Sequence, residues 1–310
     1  MFDKGLKNVV VAVESGADAR YVFDKLRKLL ARVEGEAPTV HVVRVVHAGI
    51  ADLKSRRVDQ SLELKSLILQ ATERELVDVL DACATGIDRL ESMALWNAKT
   101  WEGILHFAEA NHADLIVKAS PWQGANRTLG RTPDDWHLLR HASVPVLLVK
   151  DATWPAHPRV IAAIDAFDED HGGLGVQTLQ AASVLRSLVD GEELQIVSVY
   201  PALDPWIARL DPSGGYSDLR DNIAADVGDE IGRLVTAAEV EDYRVQVAEG
   251  PTVGAIESGV ESSRADVLTI GSHARDGVKG VVLGNTAEKL LFEVDVDLLV
   301  VRVAAGDSAA

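Results

Sequence analysis

At 310 residues the chain is long enough for about two domains, each able to bury a core of its own. With 47% apolar and 25% charged residues it is globular in composition rather than disordered, and its single cysteine, Cys83, excludes an internal disulfide. The net charge of −17 is uneven: residues 1–152 carry 20 basic and 21 acidic side chains, leaving 11 of the 31 basic and 27 of the 48 acidic ones to residues 153–310. Such a field repels phosphate backbones, which argues against direct contact with nucleic acid. It also opposes an anionic nucleotide unless cations reverse the sign locally; the plain reading of the charge is solubility.

The opening MFDKGLKNVVVAVES has an apolar run only over 9–13, flanked by charges. That is too short for a signal segment or a membrane span, so a soluble, cytoplasmic protein is expected. Apolar runs bounded by turn residues predict strands over 8–13, 40–47, 89–96, 114–119 and 144–150, with helices over 17–33, 60–84, 101–111 and 134–141. The same alternation returns as strands over 160–165, 193–200, 243–249, 266–271 and 297–303, with helices over 175–188, 217–238, 253–263 and 287–294. Short strands that are apolar throughout, alternating with helices, imply a parallel sheet covered on both faces.

The return is a repeat. Asp114-Leu115-Ile116-Val117 stands 152 positions before Asp266-Val267-Leu268-Thr269, and Val146-Leu147-Leu148-Val149 stands 152 before Leu298-Leu299-Val300-Val301. The fold class is therefore α/β, as two tandem doubly wound five-stranded parallel-sheet domains, over 1–152 and 153–305 with a tail at 306–310. Right-handed crossovers place a ligand crevice at the carboxyl ends of the strands. Between the copies, DATWPAHP contains two prolines and is a short, stiff connection.

The most informative stretch is 265–303. An apolar strand ends at Gly271, glycines follow at 277, 280 and 284, and a helix begins around Ala287 with Glu288 in its first turn. Bare backbone before a helix start exposes N–H groups to an anion. Arg275 and Lys279 add local positive charge, and His273 is either a phosphate contact or an exposed loop histidine. In the first copy Gly271 becomes Ala119, Ala274 becomes Trp122, Gly284 becomes Thr132 and Asn285 becomes Pro133. Trp122 obstructs the approach of backbone to phosphate and Pro133 removes an N–H, so the first copy has lost the cradle. After Pro133, either Asp134 or Asp135 can cap the next helix.

The spacing Gly271-x2-Ala274-x9-Gly284-Asn285-Thr286, after a strand and before a helix, resembles the Gly-x2-Gly-x9-Gly-(Ser/Thr) ATP-binding signature of the universal stress proteins. Ala274 replaces the middle glycine and Asn285 the hydroxyl residue, which implies weakened ATP binding. The tandem layout with a degenerate first copy resembles the E-type tandem members of that family in bacteria. The resemblance implies a Rossmann-like fold of the adenine nucleotide α-hydrolase kind, ATP with Mg²⁺ as the cofactor, and a role in surviving stress. It also implies that Asp165, at the end of the second copy's first strand, contacts the adenosine moiety; Glu14 stands in its place in the first copy, and a turn or cap acid is the alternative for both. Because stress proteins of this family usually dimerise through their last strand, the two last strands of this chain are expected to meet as an intramolecular pseudo-dimer. A further homodimer is compatible with that layout.

Three functions remain in play. One is a non-enzymatic stress protein with a nucleotide or small-molecule site in the second copy. Another is a weak ATPase or phosphotransferase there, with Asp165 on the metal and Arg275 or Lys279 on the phosphates, although no dedicated base is visible. The third is a binding module for an apolar ligand or partner, using Trp96, Trp101, Trp122 and Trp136 of the first copy. No nucleophile, catalytic triad or metal cluster stands out, and His137 with His141 read as surface histidines on one helix face.

Overall fold

The computed structural model describes residues 5–49, 58–120, 134–167, 173–202, 215–273, 275–277, 280–282 and 285–303. The chain divides into two compact units, residues 1–154 and 155–310. In the first, strands β1 (Asn8–Ala12), β2 (Thr39–Val46), β3 (Leu90–Trp96), β4 (Leu115–Ala119) and β5 (Val146–Val149) lie in the order β3-β2-β1-β4-β5, all parallel. Helices α1 (Gly16–Leu30), α2 (Val58–Cys83), α3 (Thr100–Ala110) and α4 (Asp134–His141) make the connections.

In the second unit, β6 (Val160–Ala163), β7 (Leu194–Tyr200), β8 (Tyr243–Glu249), β9 (Val267–His273) and β12 (Asp297–Val303) repeat the order as β12-β9-β6-β7-β8, again parallel. Its helices are α5 (Leu174–Leu188), α6 (Gly215–Ala237), α7 (Thr252–Ser263) and α8 (Asn285–Glu293). The order reverses between β1 and β4 in one unit and between β6 and β9 in the other. At such a switch point successive crossovers leave in opposite directions and open a crevice above the carboxyl ends of the two strands.

Local chemistry accounts for the elements. Strands β1 and β4 are buried on both faces, so Val9, Val10, Val11, Leu115, Ile116 and Val117 form a continuous apolar run instead of an alternating one. Helix α1 starts at Ser15, whose extended backbone (φ −142°, ψ 164°) lets its hydroxyl accept the Asp18 amide at 3.2 Å. It buries Ala19, Val22, Phe23, Leu26 and Leu29 at helical spacing against the sheet.

The repeat extends to single atoms. Asp114 Oδ2 accepts the amides of Lys7 (2.7 Å) and Asn8 (2.8 Å), pinning the start of β1 beside β4. Asp266 Oδ2 accepts the Arg159 amide at 2.8 Å and does the same for β6 beside β9. Register shows that the first strands are offset by 151 and not 152, since Val10 faces Ile116 while Ile161 faces Leu268. Glu14 and Asp165 are therefore true counterparts.

Two expectations for the glycine stretch are corrected. Strand β9 does not stop at Gly271: Gly271, Ser272 and His273 stay in register with Val301, Arg302 and Val303 of β12. Beyond it, Arg275–Gly277 (β10) and Gly280–Val282 (β11) form a two-stranded antiparallel ribbon rather than an open loop. Gly271 itself does not adopt a positive φ. Its lack of a side chain serves packing, because a Cβ there would lie 2.7 Å from Leu174 Cγ and 2.8 Å from Thr178 Oγ1, both on α5.

Two outcomes follow. Asp114→Ala, which strips an acceptor from two strand-end amides, is expected to lower stability by about 1–3 kcal/mol in urea denaturation. Gly271→Ala is expected to cost about 1–3 kcal/mol in ligand-free protein through overpacking against α5; unchanged thermal stability would return the glycine to a purely ligand-serving role.

Candidate functional site

At the switch point of the first unit side chains pair with one another. Lys118, the fourth residue of β4, is buried although it is a lysine within an apolar strand. A buried ammonium requires partners for its three protons. Lys118 Nζ finds Glu14 Oε1 at 2.8 Å, Asp135 Oδ1 at 2.9 Å and the Ala119 carbonyl at 3.1 Å. Ser120, just past β4, donates its hydroxyl to Asp135 Oδ2 at 2.6 Å.

The network thus joins the end of β1, the end of β4 and the first turn of α4 across the switch point. Burial by itself would push the lysine pKa down; the charges of Asp135 and Glu14, with their hydrogen bonds, outweigh it and hold Lys118 above the ordinary lysine range. Nearby on α1, Tyr21 donates to Asp18 Oδ1 at 3.2 Å, and burial together with Asp18 raises the phenol above its ordinary value.

The second unit lacks this network. At an offset of 152, Lys118 becomes Ile270, Asp135 becomes Ala287 and Ser120 remains Ser272. Ile270 and Ala287 are buried apolar groups. Ser272 is 2% exposed, and among the described residues its hydroxyl has no hydrogen-bond partner; the same holds for Thr269 on β9 and Thr178 on α5. Buried hydroxyls without partners are costly and point to a missing polar ligand or to water.

Of the other candidates, Asp165 is exposed just beyond β6, and its Oδ1 accepts the Phe167 amide at 3.0 Å. That is an Asx turn, the alternative reading of this residue, and it occupies one carboxylate oxygen. Glu14 is committed to Lys118. Ala119 is buried at the end of β4, Gly271 and His273 lie within β9, Arg275 opens β10, Asn285 begins α8 and Thr286 is half-buried in its first turn. Ala274, Lys279, Gly284, Trp122, Thr132 and Pro133 fall outside the described residues.

Among the described tryptophans of the predicted apolar site, Trp101 and Trp136 share His137, while Trp96 has other neighbours. His47 tilts against Trp96 at 5.4 Å with Lys65 Nζ 5.4 Å from the same ring, whereas Trp101 meets His137 and His141, and Arg140 lies 3.8 Å over Trp136. Lys118 and Ser120 are the functional residues that sequence reasoning missed. The available signal was a lone lysine inside Leu-Ile-Val-Lys-Ala, where a buried cation must have carboxylate partners. Among the described residues no group of three or more His, Cys, Asp or Glu gathers as metal ligands, and no helix is long and apolar enough to cross a membrane.

Two doubly wound domains in one chain, each with a crevice at its switch point, define a tandem Rossmann-like protein. Residues 5–150 and 160–302 each match the universal stress protein family, and the chain belongs to it. It is 26% identical to universal stress protein E of Escherichia coli K12 over 215 residues, covering 69% of this chain and 68% of that one. The universal stress protein E homolog of Haemophilus influenzae is 22% identical over 308 residues, covering 97% and 99%. Among solved structures, a functionally unknown protein of Pseudomonas aeruginosa PAO1 superposes with a TM-score of 0.65 at 22% identity, covering 96% and 93%. A universal stress protein from Archaeoglobus fulgidus does so with 0.63 at 18%, covering 95% and 98%.

Lys118→Met leaves Asp135 without its counter-ion. The expected loss is about 2–4 kcal/mol, below the top of the range for a buried pair because Glu14 is solvent-exposed. A lysine held above its unfolded pKa of about 10.4 contributes fully below that value and loses its contribution only as pH rises beyond it. Urea denaturation should therefore give the same deficit at pH 7 and pH 9.

Proposed function

We propose that this protein is a stress-response protein whose second domain holds a small polar ligand of the nucleotide class and whose first domain holds none. The observation that carries the reading is the contrast between Ser120 and Ser272. Equivalent hydroxyls stand at equivalent strand ends; one is bound by Asp135, and the other is buried without a partner among the described residues. In the first domain Lys118, Asp135 and Glu14 occupy the switch point; in the second, Ile270 and Ala287 replace the lysine and the first aspartate, Asp165 stands for Glu14, and the hydroxyl is left to a ligand.

ATP is the candidate ligand, with Mg²⁺ accompanying it. Main chain of the stretch 271–286, with Arg275, Lys279 and Thr286, would face the phosphates. Asp165 Oδ2, left over from the Asx turn, would accept a sugar hydroxyl. Ala274 and Asn285 depart from the family signature and favour modest affinity. Family membership supports the stress-response role, and the Lys118 network supports a single site per chain.

Calorimetry of the full chain with Mg-ATP tests this. One site per chain is expected, and Ser272→Ala should weaken binding about tenfold, the loss of one hydrogen bond. The same variant should leave ligand-free stability unchanged or raised, since it removes an unsatisfied hydroxyl. Two equivalent sites, or equal affinity in the variant, would overturn the assignment.

A further inference from the structure

The two units leave their first strands differently. In the first, Ser15 alone separates Glu14 from α1, because its hydroxyl caps the helix that Gly16 opens. In the second, residues 166–173 separate Asp165 from α5, which begins at Leu174. This longer connection starts as Asp165-Ala166-Phe167 at the carboxyl end of β6. Ala163, the last residue of that strand, lies opposite Ile270 of β9, so the chain leaves the sheet beside Gly271 and Ser272.

Phe167 is 52% exposed, a large apolar ring in water at the edge of the switch point. Its backbone is nevertheless fixed. The Phe167 amide donates to Asp165 Oδ1 at 3.0 Å, which ties the ring's position to that carboxylate.

We propose that Phe167 stacks on the base of a nucleoside, so that the base, more than the phosphates, supplies affinity and selectivity at the site of the second domain. The inference rests on the nucleotide-class reading of that domain. In a nucleoside the sugar carbon that carries the base adjoins the one that carries the 2′-hydroxyl. A carboxylate that accepts this hydroxyl through Oδ2 therefore brings the base within reach of a side chain two residues further on. An aromatic face attracts any base, because every base has a π-face and both surfaces leave water on contact.

Charge favours the same division. The acidic excess of residues 153–310 opposes phosphates and leaves an uncharged base unaffected. The first unit offers no such ring: Gly16 stands two residues past Glu14, is already helical, and follows a carboxylate that is paired with Lys118. A nucleoside-binding ring is thus confined to the domain whose buried serine has no partner among the described residues.

The test is calorimetry of the full chain with Mg-ATP, adenosine and inorganic tripolyphosphate, in wild type and in Phe167→Ala, Phe167→Leu and Phe167→Tyr. Wild type should bind adenosine more tightly than tripolyphosphate. Phe167→Ala should weaken Mg-ATP and adenosine by the same factor, about tenfold, the loss of one stacking contact. Phe167→Leu keeps apolar bulk without a π-face and should lose nearly as much, whereas Phe167→Tyr should keep wild-type affinity. Tripolyphosphate should respond to none of the variants. Equal Mg-ATP affinity in wild type and Phe167→Ala, full affinity in Phe167→Leu, or a preference of wild type for tripolyphosphate over adenosine would overturn this proposal and leave the site itself standing. Wild type that binds neither Mg-ATP nor adenosine would overturn both.

Discussion

Each unit depends on what satisfies the polar groups at the carboxyl end of its central strand. A parallel sheet covered on both faces brings that end to the switch point, where buried backbone and side chains meet the crevice. In the first unit the answer is internal: a lysine ammonium clasped by two carboxylates and a carbonyl, with a serine hydroxyl bonded to one of those carboxylates. In the second unit isoleucine and alanine replace the lysine and aspartate, and among the described residues the serine hydroxyl has no partner. Two domains of one fold thereby diverge through two replacements.

The same position shows how packing and ligand chemistry compete for one glycine. Gly271 lies inside β9, and α5 comes so close that a methyl group would meet Leu174 and Thr178. Its counterpart Ala119 is buried with a side chain, so the first unit accommodates a Cβ at that level of the sheet. The glycine therefore answers first to helix–sheet packing.

Much of the fold was legible from sequence. Short runs such as Val9-Val10-Val11 and Leu298-Leu299-Val300-Val301 can only be doubly buried strands, and the strand–helix alternation prescribes parallel crossovers. The recurrence of Asp114 as Asp266 revealed the repeat, and the structure assigns both the same task at the strand starts. The site was harder to read. A motif of glycines invites a ligand reading wherever it falls, but Gly271 belongs to a strand, residues 275–277 and 280–282 form a ribbon, and Asp165 closes a turn on the Phe167 amide. The histidines at 137 and 141 looked like surface residues because helical spacing shows which side chains share a face, and not what that face meets.

By itself the sequence determined the family, the duplication, the class of sheet and the absence of the signature glycines from the first copy, because periodicity and motif spacing are written along the chain. Only the tertiary structure decided that Lys118 reaches both Glu14 and Asp135, that Ser272 is left without a partner among the described residues, and that one tryptophan gathers two histidines. Those facts depend on distances between residues far apart in sequence, set by how helices settle onto a twisted sheet. Linear spacing carries no information about such distances until the layers have packed.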